Sequence, residues 1–161
     1  MDRLVLIAHL TAIAVYLGAT VFLTALIEVV GRSVEDPSEK RARWVEIFPA
    51  YNILSIGALG VAVFTGAWLV TPLKQGLGQA YFESFGRALA SKLGLAFTVI
   101  LTGTWVSFGM CHRTVRAHQF DVPVSPNDLE KLRMRLRIAL WLACALTVAT
   151  IWYAITMHVA R

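Results

Sequence analysis

The stretch LVLIAHLTAIAVYLGATVFLTALIEVV, residues Leu4 to Val30, decides the medium in which this chain folds. It contains one charged residue, Glu28, and one histidine, His9. At about 1.5 Å of rise per residue, a helix of this length is long enough to cross a hydrocarbon core of roughly 30 Å. The stretch therefore predicts a transmembrane helix over about residues 4–30.

The polar residues of this helix follow one another at steps of seven or four: His9, Tyr16, Thr20, Thr24 and Glu28. This spacing winds them down a single face. Because polar groups facing lipid tails are costly, the face is predicted to look into protein. Glu28 is expected to pair with an arginine of an adjoining loop rather than to carry protons.

The whole composition is that of a membrane protein, with 57% hydrophobic and 16% charged residues and a mean hydropathy of +0.64. Three further runs lack Asp, Glu, Lys, Arg and His: residues 47–73, 93–111 and 138–157. The prediction is one all-α domain, 1–161, an integral membrane four-helix bundle with spans at about 4–30, 50–72, 92–111 and 136–158. The first apolar run exceeds the length typical of a cleavable signal, so we expect it to remain.

Two loops carry a helix start with proline in the first turn, Asp36-Pro37 and Ser125-Pro126. The first predicts an interfacial helix over about 37–48 that ends where Pro49 breaks or kinks the chain. The second predicts that the fourth helix extends about three turns beyond the membrane. Aromatic residues from Tyr81 to Phe85 predict another interfacial helix over about 80–90.

On the third span, polar and small residues at steps of three and four predict a second inward stripe: Thr98, Thr102, Trp105, Gly109 and His112.

Lysines and arginines are distributed unevenly between the loops. Residues 31–46 hold four and residues 112–137 hold six, together ten, against three in 74–92 and one at each terminus, together five. By the positive-inside rule both termini lie on the outer, periplasmic side of a bacterial cytoplasmic membrane. The net charge of +5 therefore reflects topology, and nucleic acid is not an expected partner. Cys111 and Cys144 fall in the cytoplasmic half and predict no disulfide.

No phosphate-binding glycine loop, nucleophile elbow or His-Glu-x-x-His motif is present, so the sequence favours a non-enzymatic protein. Candidate ligands remain at each membrane face. The outer set is His9, Met157 and His158, and the inner set is Met110, Cys111 and His112. Two histidines from different helices can hold haem b, and histidine with thioether or thiolate suits copper. The alternative is that each imidazole lies at headgroup level and bonds water or backbone.

Short motifs in the first three helices resemble the CopD copper-resistance family and, more distantly, the HemJ-type protoporphyrinogen oxidases. They are His9-Leu10 followed by Gly18 and Phe22, then Thr65-Gly66, then Lys92-Leu93. The resemblance implies a helical bundle with His9 as a haem or copper ligand and with Lys92 near the third helix start. The oxidase pattern has Trp-Phe before the first-helix glycine, where this chain has Tyr16-Leu17.

Two hypotheses of function follow. The first is a small membrane protein that binds haem b or copper near the outer leaflet, through His9 and His158 with Lys92 meeting a propionate, and that serves electron transfer or metal handling. In its copper form, threonines of the first and third helices would line a narrow path between the two sets of ligands. The second is an accessory subunit without a cofactor, which packs against a membrane protein partner or a second copy of itself.

Overall fold

Four helices that are long and apolar enough to cross a membrane make up this chain, as predicted. The computed structural model describes the backbone of residues 3–159 and all side chains within that range except those of 73, 74, 76, 77, 79–85, 87, 88 and 156–159. Its elements are α1 (Arg3–Ser33), α2 (Pro37–Leu77), α3 (Gln79–Thr104), a π-helical segment (Trp105–His112), α4 (Arg113–Gln119) and α5 (Pro126–Val159). The described backbone contains no strand.

The long helices run up and down, each antiparallel to the one before it. At one end of the bundle His9 of α1 meets Thr65 of α2, and at the other Glu28 of α1 meets Arg133 of α5. We call these the His9 end and the Arg133 end. The π-helical segment joins α3 to α4 without a break, so residues 79–119 form one long helix.

The main core lies toward the Arg133 end and draws on every long helix. Leu23, Phe48, Val106 and Leu140 contribute to it and are each at most 1% exposed. A smaller cluster of Tyr16, Ala58 and Val99 continues the contact toward the His9 end. In a membrane, helices associate through close packing of this kind, because lipid tails are as apolar as the side chains themselves.

The outer surface of the bundle is also apolar. Phe22 of α1, Phe64 of α2, Phe97 of α3 and Trp141 of α5 are all at least 60% exposed. A water-soluble protein rarely exposes apolar side chains on every helix, because large contiguous apolar patches lead to association. Together with the lengths of the helices, this surface identifies a membrane protein in contact with the lipid bilayer.

The two predicted interfacial helices are not separate helices. Residues 37–48 are the first turns of α2, which continues through Pro49 to Leu77, and residues 80–90 belong to α3. Helix α2 continues past Pro49 because the residues on either side, Phe48 and Tyr51, are buried in one core cluster that holds both halves. The predicted aromatic face at Tyr81 to Phe85 lies outside the described side chains.

Both predicted helix starts are confirmed. Helix α2 begins at Pro37, where the Asp36 carboxylate accepts a hydrogen bond of 2.8 Å from the backbone N–H of Glu39. Helix α5 begins at Pro126, and the Ser125 hydroxyl accepts from the backbone N–H of Asn127 at 3.3 Å. These side chains satisfy N–H groups that have no partner within the helix. Helix α5 consequently starts about three turns before the apolar run at 138.

The predicted inward stripe on the third span is wrong. Thr98 and Trp105 are exposed, whereas Val99, Val106 and Ser107 face the bundle. The hydroxyl of Thr98 donates to the Gly94 carbonyl at 2.9 Å, so it tolerates a position without an interhelical partner. Because Thr98 is exposed whereas Thr20 and Thr24 are buried, Thr98 does not line a path with the threonines of α1.

Candidate functional site

The polar stripe of α1 faces the interior, as predicted. Tyr16, Thr20 and Thr24 are 2%, 0% and 8% exposed. The hydroxyl of Thr20 donates to the Tyr16 carbonyl at 2.7 Å, and that of Thr24 donates to the Thr20 carbonyl at 2.8 Å. Both threonine hydroxyls of the stripe are therefore hydrogen-bonded within α1. The residues at its two ends, His9 and Glu28, are the candidates for a chemical role.

His9 is held by α2 at the His9 end. Its Nδ1 lies 3.0 Å from the Thr65 hydroxyl. The Thr65 hydroxyl also lies 2.6 Å from the Val61 carbonyl and 3.3 Å from the Ala62 carbonyl of its own helix, and when it donates its proton to either of them its oxygen accepts from His9. Nδ1 therefore carries the proton, an assignment made from the hydrogen-bond network. In the neutral ring Nε2 then has a free lone pair, which is the form of imidazole that binds a metal.

Gly66 sets the position of the same ring from the other side. A Cβ atom at Gly66 would lie 3.1 Å from Cε1 of His9 and 3.6 Å from Nδ1. The contact of 3.1 Å is tighter than ordinary van der Waals packing, so a side chain at this position would require the imidazole to shift by a few tenths of an ångström. Thr65 and Gly66 thus act as a pair, in which one residue fixes the tautomer and the other leaves room for the ring.

Lys92 lies near the same site. Lys92 is half-buried and lies seven residues before Val99 on α3, just as His9 lies seven residues before Tyr16 on α1, and Tyr16 and Val99 belong to one cluster. The structure therefore brings His9, Thr65 and Gly66 together and places Lys92 at the same end of the bundle, although these residues are far apart in the sequence. The side chains of the other predicted outer ligands, Met157 and His158, lie outside the described residues.

The predicted inner ligands do not share one face. Met110 and Cys111 are buried in the main core, at 6% and 0% exposed. His112 is exposed, with its ring at 6.4 Å from that of Phe108. Cys111 and Cys144 are both buried free thiols. The apolar surroundings of Cys111 and the outward direction of His112 leave this set without a common point for a metal.

Glu28 pairs with arginines, as predicted, but those arginines lie on helices rather than in a loop. Its carboxylate accepts from Arg133 at 2.9 Å, and Arg32 and Arg137 lie 3.6 Å away. Arg133 also binds Glu130 at 3.1 Å. Because Glu28 and Arg133 are both largely buried, this network joins α1 to α5 at the Arg133 end.

A group of buried hydroxyls lies midway along the bundle and was not predicted as a unit. The hydroxyls of Ser55 and Ser107 are 3.2 Å apart and fully buried, next to Tyr51 and Cys111 in the core. Ser107 belongs to the π-helical segment, whose wider turn changes which residues face inward. Hydroxyls alone offer no acid or base near neutral pH, so this group serves packing between α2 and the π-helical segment.

The sequence analysis also missed Arg41, which it counted only as a topology signal. Arg41 is 8% exposed and lies on the same face of α2 as Trp44 and Phe48, at steps of three and four. That spacing was the available signal, since it places the arginine on a face of large apolar residues. Among the described residues, no three His, Cys, Asp or Glu side chains are grouped to hold a metal ion.

Comparison with known proteins matches the chain to no family model, no curated protein and no solved structure. The function of the site is therefore argued from its own geometry.

Proposed function

We propose that this protein holds a metal centre, either haem b or a copper ion, with Nε2 of His9 as a ligand, and that it serves electron transfer or metal handling. The observation that carries the proposal is the hydrogen bond of 3.0 Å between His9 and Thr65. It leaves Nε2 free and fixes the ring, as in metal-binding histidines whose other ring nitrogen is hydrogen-bonded to a neighbouring protein group. A bound haem or copper would supply one-electron chemistry.

Lys92 has a separate role in this proposal. It lies at the same end of the bundle as His9, and a lysine there suits a haem propionate or another carboxylate. His158 and Met157, at the end of α5, are the proposed further ligands. A second histidine would complete a bis-histidine haem, and a methionine thioether would favour Cu(I).

The proposed location is the bacterial cytoplasmic membrane, with both termini and the His9 end on the outer side. The support is the excess of lysine and arginine in the loops at residues 31–46 and 112–137. A metal centre at the His9 end would then lie within reach of a periplasmic redox partner or of periplasmic copper.

The absorption spectrum and copper content of the purified protein test the proposal. A Soret band or a stoichiometric copper ion that is lost in His9→Ala and kept in His112→Ala supports it. His112 is the matched control because it is an exposed histidine outside the site. A folded wild-type protein that takes up neither haem nor copper on reconstitution contradicts it.

A second candidate is an accessory subunit without a cofactor. It is favoured by a shallow apolar groove of about 560 Å³ between α1 and α2, lined by residues such as Ile7, Ala12, Gly57 and Val61. A Cβ atom at Gly57 would meet nothing within 4 Å, so a neighbouring helix has room to approach. A metal-free protein whose complex with a membrane partner is lost in Gly57→Phe but kept in Gly94→Phe would support this role.

A further inference from the structure

A second cavity, separate from the His9 site, opens at the Arg133 end of the bundle. It has a volume of about 430 Å³ and lies between α2, the π-helical segment, α4 and α5. Its charged lining consists of Arg41, Arg113, Arg135 and Asp128, and its apolar wall includes Trp105 and Leu132. We call it the Arg41 cavity. Its size is within the range of about 300–1,000 Å³ found for small-molecule sites.

Arg41 is a buried cation with no counter-ion among the described residues. Its Nη1 donates to the Val122 carbonyl at 2.7 Å, and its buried Nε and Nη2 have no partner in the part of the chain that the structure describes. Arg133, by comparison, is 16% exposed and binds the carboxylates of Glu28 and Glu130. Buried charges in proteins are normally paired, because removing an ion from water without compensation is costly. Arg41 therefore lacks an anion that no described side chain provides.

The rest of the charged lining is also positive. Arg113 and Arg135 are exposed, and neither forms an ion pair among the described residues. The one carboxylate of the lining, Asp128, lies 3.8 Å from Lys131, which offsets its charge. Three guanidinium groups thus line the cavity, and the one acid of its lining, Asp128, is already paired with Lys131. Guanidinium groups bind phosphate oxygens through two parallel hydrogen bonds, which makes phosphate the best-matched anion.

The apolar wall distinguishes a lipid from a soluble phosphate. Trp105 is 55% exposed and lies two turns before Arg113 on the same long helix, so the cavity extends from charged to lipid-facing surface. A cavity of that kind suits a molecule with an anionic head and an apolar tail. Basic pockets between transmembrane helices at one membrane face are known to bind anionic headgroups.

We propose that the Arg41 cavity binds the phosphate group of an anionic phospholipid, with the acyl chain lying along Trp105. The lipid supplies the counter-ion of Arg41 and ties α2 to α4 and α5. This site is independent of the proposed metal centre at the opposite end of the bundle.

Native mass spectrometry of the full protein in detergent tests the site, with phosphatidylglycerol, phosphatidylcholine and inorganic phosphate as probes. We expect retention of phosphatidylglycerol in preference to phosphatidylcholine, and no displacement of the lipid by inorganic phosphate. Arg113→Gln combined with Arg135→Gln should weaken binding about tenfold or more, as loss of charge-assisted hydrogen bonds predicts. Both residues are exposed, so this variant should fold even if Arg41→Gln does not.

Arg43→Gln is the matched control. Arg43 is two residues from Arg41 on α2, is exposed, and pairs with Glu39 at 3.4 Å outside the cavity. Unchanged binding in this variant supports a defined site. Equal losses in Arg43→Gln and in the double variant would overturn the proposal in favour of general surface attraction. Equal binding of the two lipids, or displacement by inorganic phosphate, would overturn the assignment of an anionic lipid.

Discussion

Nδ1 of His9 on α1 and the hydroxyl of Thr65 on α2 form a hydrogen bond of 3.0 Å across 56 positions of sequence. This one bond sets the tautomer of the ring and joins the first two helices at their shared end. It also makes Thr65 a residue whose effect on ligand binding can be separated from that of His9 itself.

Thr65→Val should weaken metal or haem binding by about 10–100-fold, the usual effect of losing a second-shell hydrogen bond. Valine keeps the shape of threonine but cannot accept the Nδ1 proton. The measurement is a titration of the metal-free protein with haem and with Cu(I). Thr71→Val is the control, because Thr71 also donates to its own helix, at the Ala67 carbonyl, and is exposed. Equal affinities in wild type and Thr65→Val would contradict the role given to this bond.

Glu28→Gln should lower the free energy of unfolding by roughly 1–1.5 kcal/mol, because the glutamine oxygen can still accept from Arg133 but no longer carries the charge that balances it in a partly buried network. The matched control is Glu39→Gln, which breaks an exposed i,i+4 pair with Arg43. That pair should contribute only about 0.3–0.5 kcal/mol. Equilibrium unfolding in detergent measures both changes. Similar losses in the two variants would show that the Glu28 network does not join α1 to α5 as described.

Gly103→Ala should destabilise the bundle by about 1–3 kcal/mol through overpacking. The added Cβ would lie 2.9 Å from both the Tyr16 hydroxyl and Cδ1 of Leu59. Gly94→Ala on the same helix is the control, since its Cβ would meet nothing within 4 Å. Alanine there should be neutral or slightly stabilising. Thermal unfolding of the two variants decides the matter, and equal melting temperatures would show that Gly103 is not at a close helix contact.

Topology provides a separate prediction. Reporters fused after Leu73 and Arg161 should indicate a periplasmic location, and reporters fused after Val30 and Cys111 a cytoplasmic one. The reason is that the two loops predicted to be cytoplasmic hold ten lysines and arginines, against five elsewhere. If an external protease does not cleave at the Leu73 and Arg161 sites, the predicted orientation is wrong and the His9 end lies at the inner face.

The sequence predicts α1 well because its stripe has regular α-helical spacing. Tyr16, Thr20 and Thr24 are buried where steps of four place them. The same reasoning failed on the third span, where eight residues from Trp105 to His112 form a π-helical segment with a wider turn. The prediction also assumed that a threonine facing lipid is costly. The Thr98 hydroxyl avoids this cost because it donates to the Gly94 carbonyl of its own helix. Spacing rules hold only where the helix keeps its ordinary period.

The site was predictable in part. The short motifs pointed to His9, Thr65-Gly66 and Lys92, and the structure brings these residues to one end of the bundle. Residue spacing does not predict the tautomer of His9, because the tautomer depends on which acceptor receives the proton of the Thr65 hydroxyl. The burial of Arg41 likewise depends on how α2 packs against the rest of the bundle, including the segment around Val122. Such facts follow from tertiary contacts, which a pattern within one helix does not contain.

The most direct test of the metal centre is rescue of His9→Gly by free imidazole. If Nε2 of His9 ligates the metal, the purified variant should lose the absorption of the haem or copper centre, and added imidazole should restore it by filling the vacated position. His112→Gly should keep the wild-type spectrum without imidazole. A His9→Gly protein that is folded and retains the wild-type spectrum, with no response to imidazole, would contradict the central claim.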